Sequence, residues 1–212
     1  MNSRQKKLAA FGRLLDIMDE LREKCPWDKK QTFESLRQLT IEETYELGDA
    51  ILEGNLLEIK KELGDLLLHI VFYSKLGSEE GAFDIADVAH NISEKLIYRH
   101  PHVYSNVKVK NEEEVKKNWE ALKLKEGNNS VLEGVPKGQP SLVKAQRIQE
   151  KAAGVGFDWE SKEQVWSKVK EEITEFKEEV SKGNIKRSEE ELGDVFFSLI
   201  NYARFLKIDS DT

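Results

Sequence analysis

The chain has 212 residues, enough for one domain or two small ones with a real core, and 34% are charged against 39% hydrophobic. A formal net charge of −7 argues against a nucleic-acid duplex as the main partner, because phosphate contacts call for a basic surface; a nucleotide carried as a metal complex stays compatible. Cys25, the sole cysteine, excludes an intrachain disulfide and a cysteine-based zinc site, and no apolar run approaches the roughly 18 residues that cross a bilayer.

The polar start, Met1 to Lys7, has no apolar segment behind it, so no secretory signal is expected. The composition reads as helical, soluble and cytoplasmic, with no membrane partner. A first helix is predicted over Gln5 to Lys24, where Leu8, Phe11, Leu15, Met18 and Leu21 recur at helical spacing. Cys25-Pro26-Trp27-Asp28 breaks it, since the residue before proline disfavours the helical conformation. Thr32 caps a second helix running to Glu53, and Gly54 closes it where a left-handed residue costs least. Asn55 opens a third helix that ends at Gly77, and so short a loop folds helices two and three antiparallel. A fourth helix, from about Asp84 to Arg99, stops at His100-Pro101, with His100 and His102 as turn residues. Residues 105–138 read as a connector carrying one charged helix, Glu112 to Lys125, and a polar stretch, Gly127-Asn128-Asn129-Ser130.

Helical periodicity then restarts with Leu142 to Ala153. Ser161 and Gln164 are spaced for a capping box on the next helix. That helix ends at Lys182-Gly183, and its antiparallel mate passes through Val195, Phe196, Leu199, Ile200 and Phe205. At a constant offset of 129, Glu42-Glu43-x-x-Glu46 falls on Glu171-Glu172-x-x-Glu175, and Glu62-Leu63-Gly64-Asp65 on Glu191-Leu192-Gly193-Asp194. The pattern is an internal duplication of an all-α unit. It divides the chain into a first helical repeat (1–104), the connector (105–138) and an incomplete second repeat (139–212). Only 18 residues follow Asp194, so nothing there corresponds to the fourth helix.

The acids are placed symmetrically about the two turn glycines. Glu46 and Glu62 each lie eight residues from Gly54, and Glu43 and Asp65 eleven; Glu175, Glu191, Glu172 and Asp194 repeat this about Gly183. In a helical hairpin the mirror spacing sets the acids level, roughly 12 to 17 Å from the turn. Acids three apart share a helical face, and Asp65 and Asp194 are followed by Leu66-Leu67-Leu68 and Val195-Phe196-Phe197. Gly64 and Gly193, which cost about 1 kcal/mol against alanine within a helix, imply the close approach of a neighbouring helix or ligand. A run such as Glu112-Glu113-Glu114 is a solvated face. Facing carboxylates repel unless a cation sits between them, and oxygen-only ligands select Mg²⁺, Mn²⁺ or Ca²⁺ over zinc or copper. No histidine follows any of these acids at the Glu-x-x-His spacing of a di-iron bundle, and His69 reads as a core residue. Mg²⁺ is commonly shared with phosphate oxygens, so a Mg²⁺–phosphate substrate leads. The nearby cations are Lys95 and Arg99 in the first copy and Lys168 and Arg187 in the second. Trp27, Trp159 and Trp166 fit either base stacking or a core.

The motif E-E-x-x-E, fifteen intervening residues, then E-x-x-D resembles the all-α nucleoside triphosphate pyrophosphohydrolases, specifically the MazG family. Cys25-Pro26-Trp27-Asp28, Arg99-His100-Pro101-His102-Val103, Ala145-Gln146-x-Ile148-Gln149 and Val155-Gly156-Phe157-Asp158-Trp159 resemble segments of its two-repeat bacterial members. The resemblance implies Mg²⁺-dependent cleavage between the α- and β-phosphates of a nucleoside triphosphate, and a homodimer whose helices complete the bundle. Carried over, the metal ligands are Glu172, Glu175, Glu191 and Asp194 in the second copy and Glu43, Glu46, Glu62 and Asp65 in the first. Lys168, Glu171, Arg187 and Glu190 then lie near the nucleotide, as do Lys95 and Arg99, and Glu171 or Glu42 acts on the attacking water. Family members normally continue into a helix whose Lys and Arg face the triphosphate; this chain stops at Thr212, while the first copy keeps equivalents in Lys95 and Arg99. The family places turnover in the second repeat. A competing reading is a non-catalytic dimeric helical module, nucleotide-sensing or partner-binding, that retains its metal sites. Base and sugar preference stay open, as does housecleaning against control of a signalling nucleotide.

Overall fold

The computed structural model describes residues 1–125 and 130–210; Gly127, Asn128 and Asn129 of the polar stretch lie outside them. Every regular element there is helical: α1 (Arg4–Lys24), α2 (Phe33–Leu52), α3 (Leu56–Glu79), α4 (Ile85–Arg99), α5 (Pro101–Tyr104), α6 (Glu112–Lys125), α7 (Ser141–Gly154), α8 (Lys162–Ser181) and α9 (Ile185–Leu206). A 3₁₀ turn covers Asp28–Lys30. None of these helices is long and apolar enough to cross a membrane. The chain divides into two compact units, Met1–Leu96 and Ile97–Thr212.

In the first unit, α2 and α3 form the expected antiparallel hairpin and α1 packs on α3. Thr32 and Ser35 exchange side-chain and backbone hydrogen bonds in a full capping box, and the Asn55 side chain accepts from the Leu57 and Glu58 amides. Gly54 turns the chain at φ 68°, a conformation glycine adopts without steric cost. The core is Met18, Leu36, Val71, Phe72 and Leu76, flanked by Phe11, Leu14, Leu15, Leu39, Leu68 and Tyr73. Arg22 ties three segments together: its guanidinium donates to the Glu79 carboxylate at 2.8 Å and to the carbonyls of Asp28 and Gln31. This fork fixes the Trp27-Asp28 loop ahead of the acid-bearing helix.

α3 does not end at Gly77. It runs on to Glu79, and the left-handed residue is Gly81. Gly77 is instead a packing position, since a Cβ there would stand 2.6 Å from the Phe83 ring. Gly64 and Gly193 have no non-local atom within 4 Å of a built Cβ, so the close approach expected at them is not made by the described residues.

In the second unit, α8 and α9 form the corresponding hairpin, turned by Gly183 at φ 70°, and α7 packs on α9. Gln149 anchors α7 by donating to the Phe197 carbonyl at 2.7 Å. Buried Lys151 donates to the carbonyls of Val131 and Glu133, which fastens the end of the connector. The Ser161 capping box is only half formed. Ser161 accepts from the Gln164 amide, but the Gln164 side chain accepts from Glu160, one residue early. His100-Pro101 ends α4 as expected and also begins α5, because proline suits the first helical turn. The edge of His100 meets the Trp119 ring, and the Arg99 guanidinium lies 5.5 Å from that ring's centre.

The offset of 129 carries each hairpin helix of the first unit onto the start of its counterpart: Phe33 onto Lys162, Leu56 onto Ile185. The caps follow, Thr32 onto Ser161 and Asn55 onto Asn184.

Candidate metal centre

Mirror spacing about each glycine brings acids of the paired helices together. In the first unit Glu43, Glu46 and Glu62 place carboxylate oxygens within 4.8 Å of one another, and in the second Glu172, Glu175 and Glu191 do the same. Octahedral Mg²⁺ spaces opposite oxygens roughly 4 Å apart, so both donor sets suit a hard divalent cation. Asp65 and Asp194 lie just outside these trios. Each is still close enough to press on the cluster electrostatically.

The two clusters are strained in the same sense. Desolvation, then the charges of Asp65, Glu46 and Glu62, raise the Glu43 carboxyl above its ordinary value. Desolvation, then Glu175, Asp194 and Glu172, raise Glu191. Glu62 is the most constrained member. It is 3% exposed, one oxygen accepts from Lys61 at 2.8 Å, and the other, Oε2, is buried without a partner among the described residues. A buried acceptor left unsatisfied is costly, and a cation held between Glu43, Glu46 and Glu62 would satisfy it.

Each cluster has recruited one lysine, from a different place. Lys61 serves the first, although sequence reasoning passed over it; its counterpart in the second unit is Glu190. Lys168 serves the second, 2.6 Å from Glu171 and 2.8 Å from Glu172, and its counterpart in the first unit is Leu39. Hydrogen bonds to Glu171 and Glu172 hold Lys168 well above the ordinary lysine range and so keep it charged. Lys61 was visible in the sequence as half of an opposite-sign pair with Glu190 at the 129 offset.

The remaining predicted residues are distributed as follows. Glu42 and Glu171 stand exposed beside their clusters, Glu171 held by Lys168. Arg187 is exposed, 3.9 Å from Glu190, and its charge opposes the rise at Glu191. Lys95 is exposed on α4, whose backbone packs against neither α2 nor α3. Arg99 stacks on Trp119. Buried His69 accepts its core role, with Nδ1 3.0 Å from Thr40 Oγ1, which also meets Tyr73 Oη at 2.7 Å.

A pH effect follows from the raised acids. A carboxyl raised on folding binds its proton better in the folded chain, so its contribution favours the fold at low pH. That contribution is lost as pH rises from the ordinary 4.5 through the raised values of Glu43 and Glu191. Added Mg²⁺ is expected to raise the melting temperature more at about pH 7.5 than at about pH 5, where protons already neutralise part of each cluster. Thermal unfolding at both pH values checks this; an equal shift at the two would contradict it.

Residues 31–104 and 160–211 match the family model described as the MazG nucleotide pyrophosphohydrolase domain, one segment on each acid-bearing hairpin. The chain is 43% identical over 205 residues to the nucleoside triphosphate pyrophosphohydrolase of Escherichia coli (strain K12), covering 92% of this chain and 78% of that protein. It is 44% identical over 207 residues to the nucleoside triphosphate pyrophosphohydrolase/pyrophosphatase MazG of Thermotoga maritima, covering 95% and 78%. Against the uncharacterized protein YabN of Bacillus subtilis (strain 168) the identity is 47% over 210 residues, covering 95% of this chain and 42% of that protein.

Proposed function

The chain belongs to the MazG nucleotide pyrophosphohydrolase family, and we propose that it is a Mg²⁺-dependent enzyme cleaving nucleoside triphosphates between the α- and β-phosphates to a monophosphate and pyrophosphate. The observation that carries this reading is the pair of matching acid clusters, one of which holds a buried carboxylate oxygen with no partner among the described residues.

Glu172, Glu175, Glu191 and Asp194 would hold the ion in the second unit, and Glu43, Glu46, Glu62 and Asp65 in the first. When bound, Mg²⁺ (or Mn²⁺ in its place) neutralises charge on the phosphate oxygens and acidifies water. Lys168, already charged between Glu171 and Glu172, is placed to take a triphosphate oxygen. Arg187 and Glu190 border the same site from α9. In the first sequence repeat (1–104) Lys95 and Arg99 are the corresponding candidates for the triphosphate. Glu171, or Glu42 in the first unit, orients the attacking water and takes its proton. The new bond joins the water oxygen to the α-phosphorus. The bond to the bridging oxygen breaks, and its electron pair leaves on pyrophosphate.

The working form we propose is a cytoplasmic homodimer built on two tandem repeats. Leu63 and Ile70 on α3, and Phe196 and Phe197 on α9, leave large apolar side chains uncovered, and the open space beside Gly64 and Gly193 admits another helix. Product analysis with Mg²⁺ tests the reaction: monophosphate and pyrophosphate in equal amounts are expected, whereas diphosphate with orthophosphate would refute α–β cleavage.

A further inference from the structure

Beside the second acid cluster a groove of about 360 Å³ runs along the first turns of α8, lined by Trp159, Glu163, Gln164, Ser167, Lys168 and Glu171. Its volume falls in the range of small-molecule sites. At one end lies Lys168, bound to Glu171 and to Glu172 of the cluster. At the other stands Trp159, with 44% of its surface exposed. Glu163 to Glu171 spans roughly 12 Å of helix, room for a sugar and a base beyond the phosphates.

The loop presenting this indole is braced from both sides. The Trp159 amide donates to the Asp158 carboxylate, which also receives Arg204, and Arg204 is held in turn by Asn201 and lies over the Phe205 ring. On the other side the Glu160 amide donates to Gln164 Oε1 at 3.0 Å. No ring among the described residues stacks on Trp159, whereas Trp166 already packs against Tyr202. A rigidly mounted, uncovered indole beside a charged lysine is suited to an aromatic ligand that carries phosphate.

We propose that Trp159 is the nucleobase platform of the second site. The base stacks on the indole, its triphosphate reaches Lys168 and the acid cluster, and the Gln164 amide and Ser167 hydroxyl line the span between them. The assignment rests on the pyrophosphohydrolase reading of that cluster and adds the group that senses the base. In the first unit Leu39 stands at the position that matches Lys168.

The test compares wild type with Trp159→Ala and Trp159→Phe in the full chain. It uses steady-state turnover of a nucleoside triphosphate and calorimetric binding of a nucleoside monophosphate and of inorganic tripolyphosphate. For Trp159→Ala, KM should rise roughly 5- to 100-fold with kcat nearly unchanged, monophosphate affinity should fall by a similar factor, and tripolyphosphate affinity should hold. Trp159→Phe should recover most of the loss. Unchanged monophosphate binding, or a parallel loss of tripolyphosphate binding, would overturn the assignment. If wild type turns over no triphosphate, the reaction proposed above fails, and the two binding experiments still decide the platform.

Discussion

Glu172→Gln is expected to lower pyrophosphate release in the second unit on the order of 100-fold or more while leaving the melting temperature close to wild type. Glutamine keeps the volume of a side chain only 6% exposed and deletes the charge that Glu172 brings to the trio with Glu175 and Glu191. Two consequences for stability oppose each other. The contact with Lys168 at 2.8 Å weakens, but a like charge also leaves the cluster that raises Glu191. Turnover has no such compensation, because a neutral amide is a poor ligand for a hard cation. Glu43→Gln in parallel shows whether the first unit contributes. Full activity in the double variant would remove both clusters from the mechanism.

Glu62→Gln carries the second large effect, on stability rather than rate. Without metal, the Oε2 atom of Glu62 is buried and unsatisfied among other carboxylates. A group in that position costs about 1–3 kcal/mol. Glutamine supplies an N–H₂ that can donate to Glu43 or Glu46, which turns a repulsion into a hydrogen bond. The metal-free variant should therefore melt several degrees higher than metal-free wild type, a shift of about the size that 1 kcal/mol produces in a small domain. Its stabilisation by Mg²⁺ should shrink at the same time, since a ligand is gone. A variant that is less stable without metal would show that Lys61 alone satisfies Glu62, and the argument for a cation in the first unit would weaken accordingly.

Much of this arrangement was legible in the sequence because it depends on distances along the chain. Gly54 and Gly183 fix the turns, Thr32, Asn55, Ser161 and Asn184 fix the helix starts, and counting from the turns sets the glutamates level. What the count does not contain is side-chain reach. Asp65 and Asp194 are one methylene shorter than glutamate, and they stay outside the trios. Helix packing is also absent from a periodicity argument. α4 has an amphipathic pattern, yet its backbone packs on neither hairpin helix, so Lys95 is not brought to the first cluster within its unit. Gly77 reads as a helix stop in a one-dimensional pattern because glycine marks both turns and close contacts; the Phe83 ring against it decides for the contact. Lys61 was passed over because a residue next to an acid in sequence ordinarily faces away from it on a helix, and only a bend of its long side chain brings Nζ to Glu62.

The central claim, that opposed carboxylates in each hairpin are built around a divalent cation, is tested most directly by calorimetric titration of the nucleotide-free chain with Mg²⁺. Saturable uptake is predicted, reduced by Glu62→Gln and by Glu172→Gln separately and abolished when both are combined. A wild-type chain that takes up no magnesium, or a double variant that binds it as wild type does, would contradict the claim.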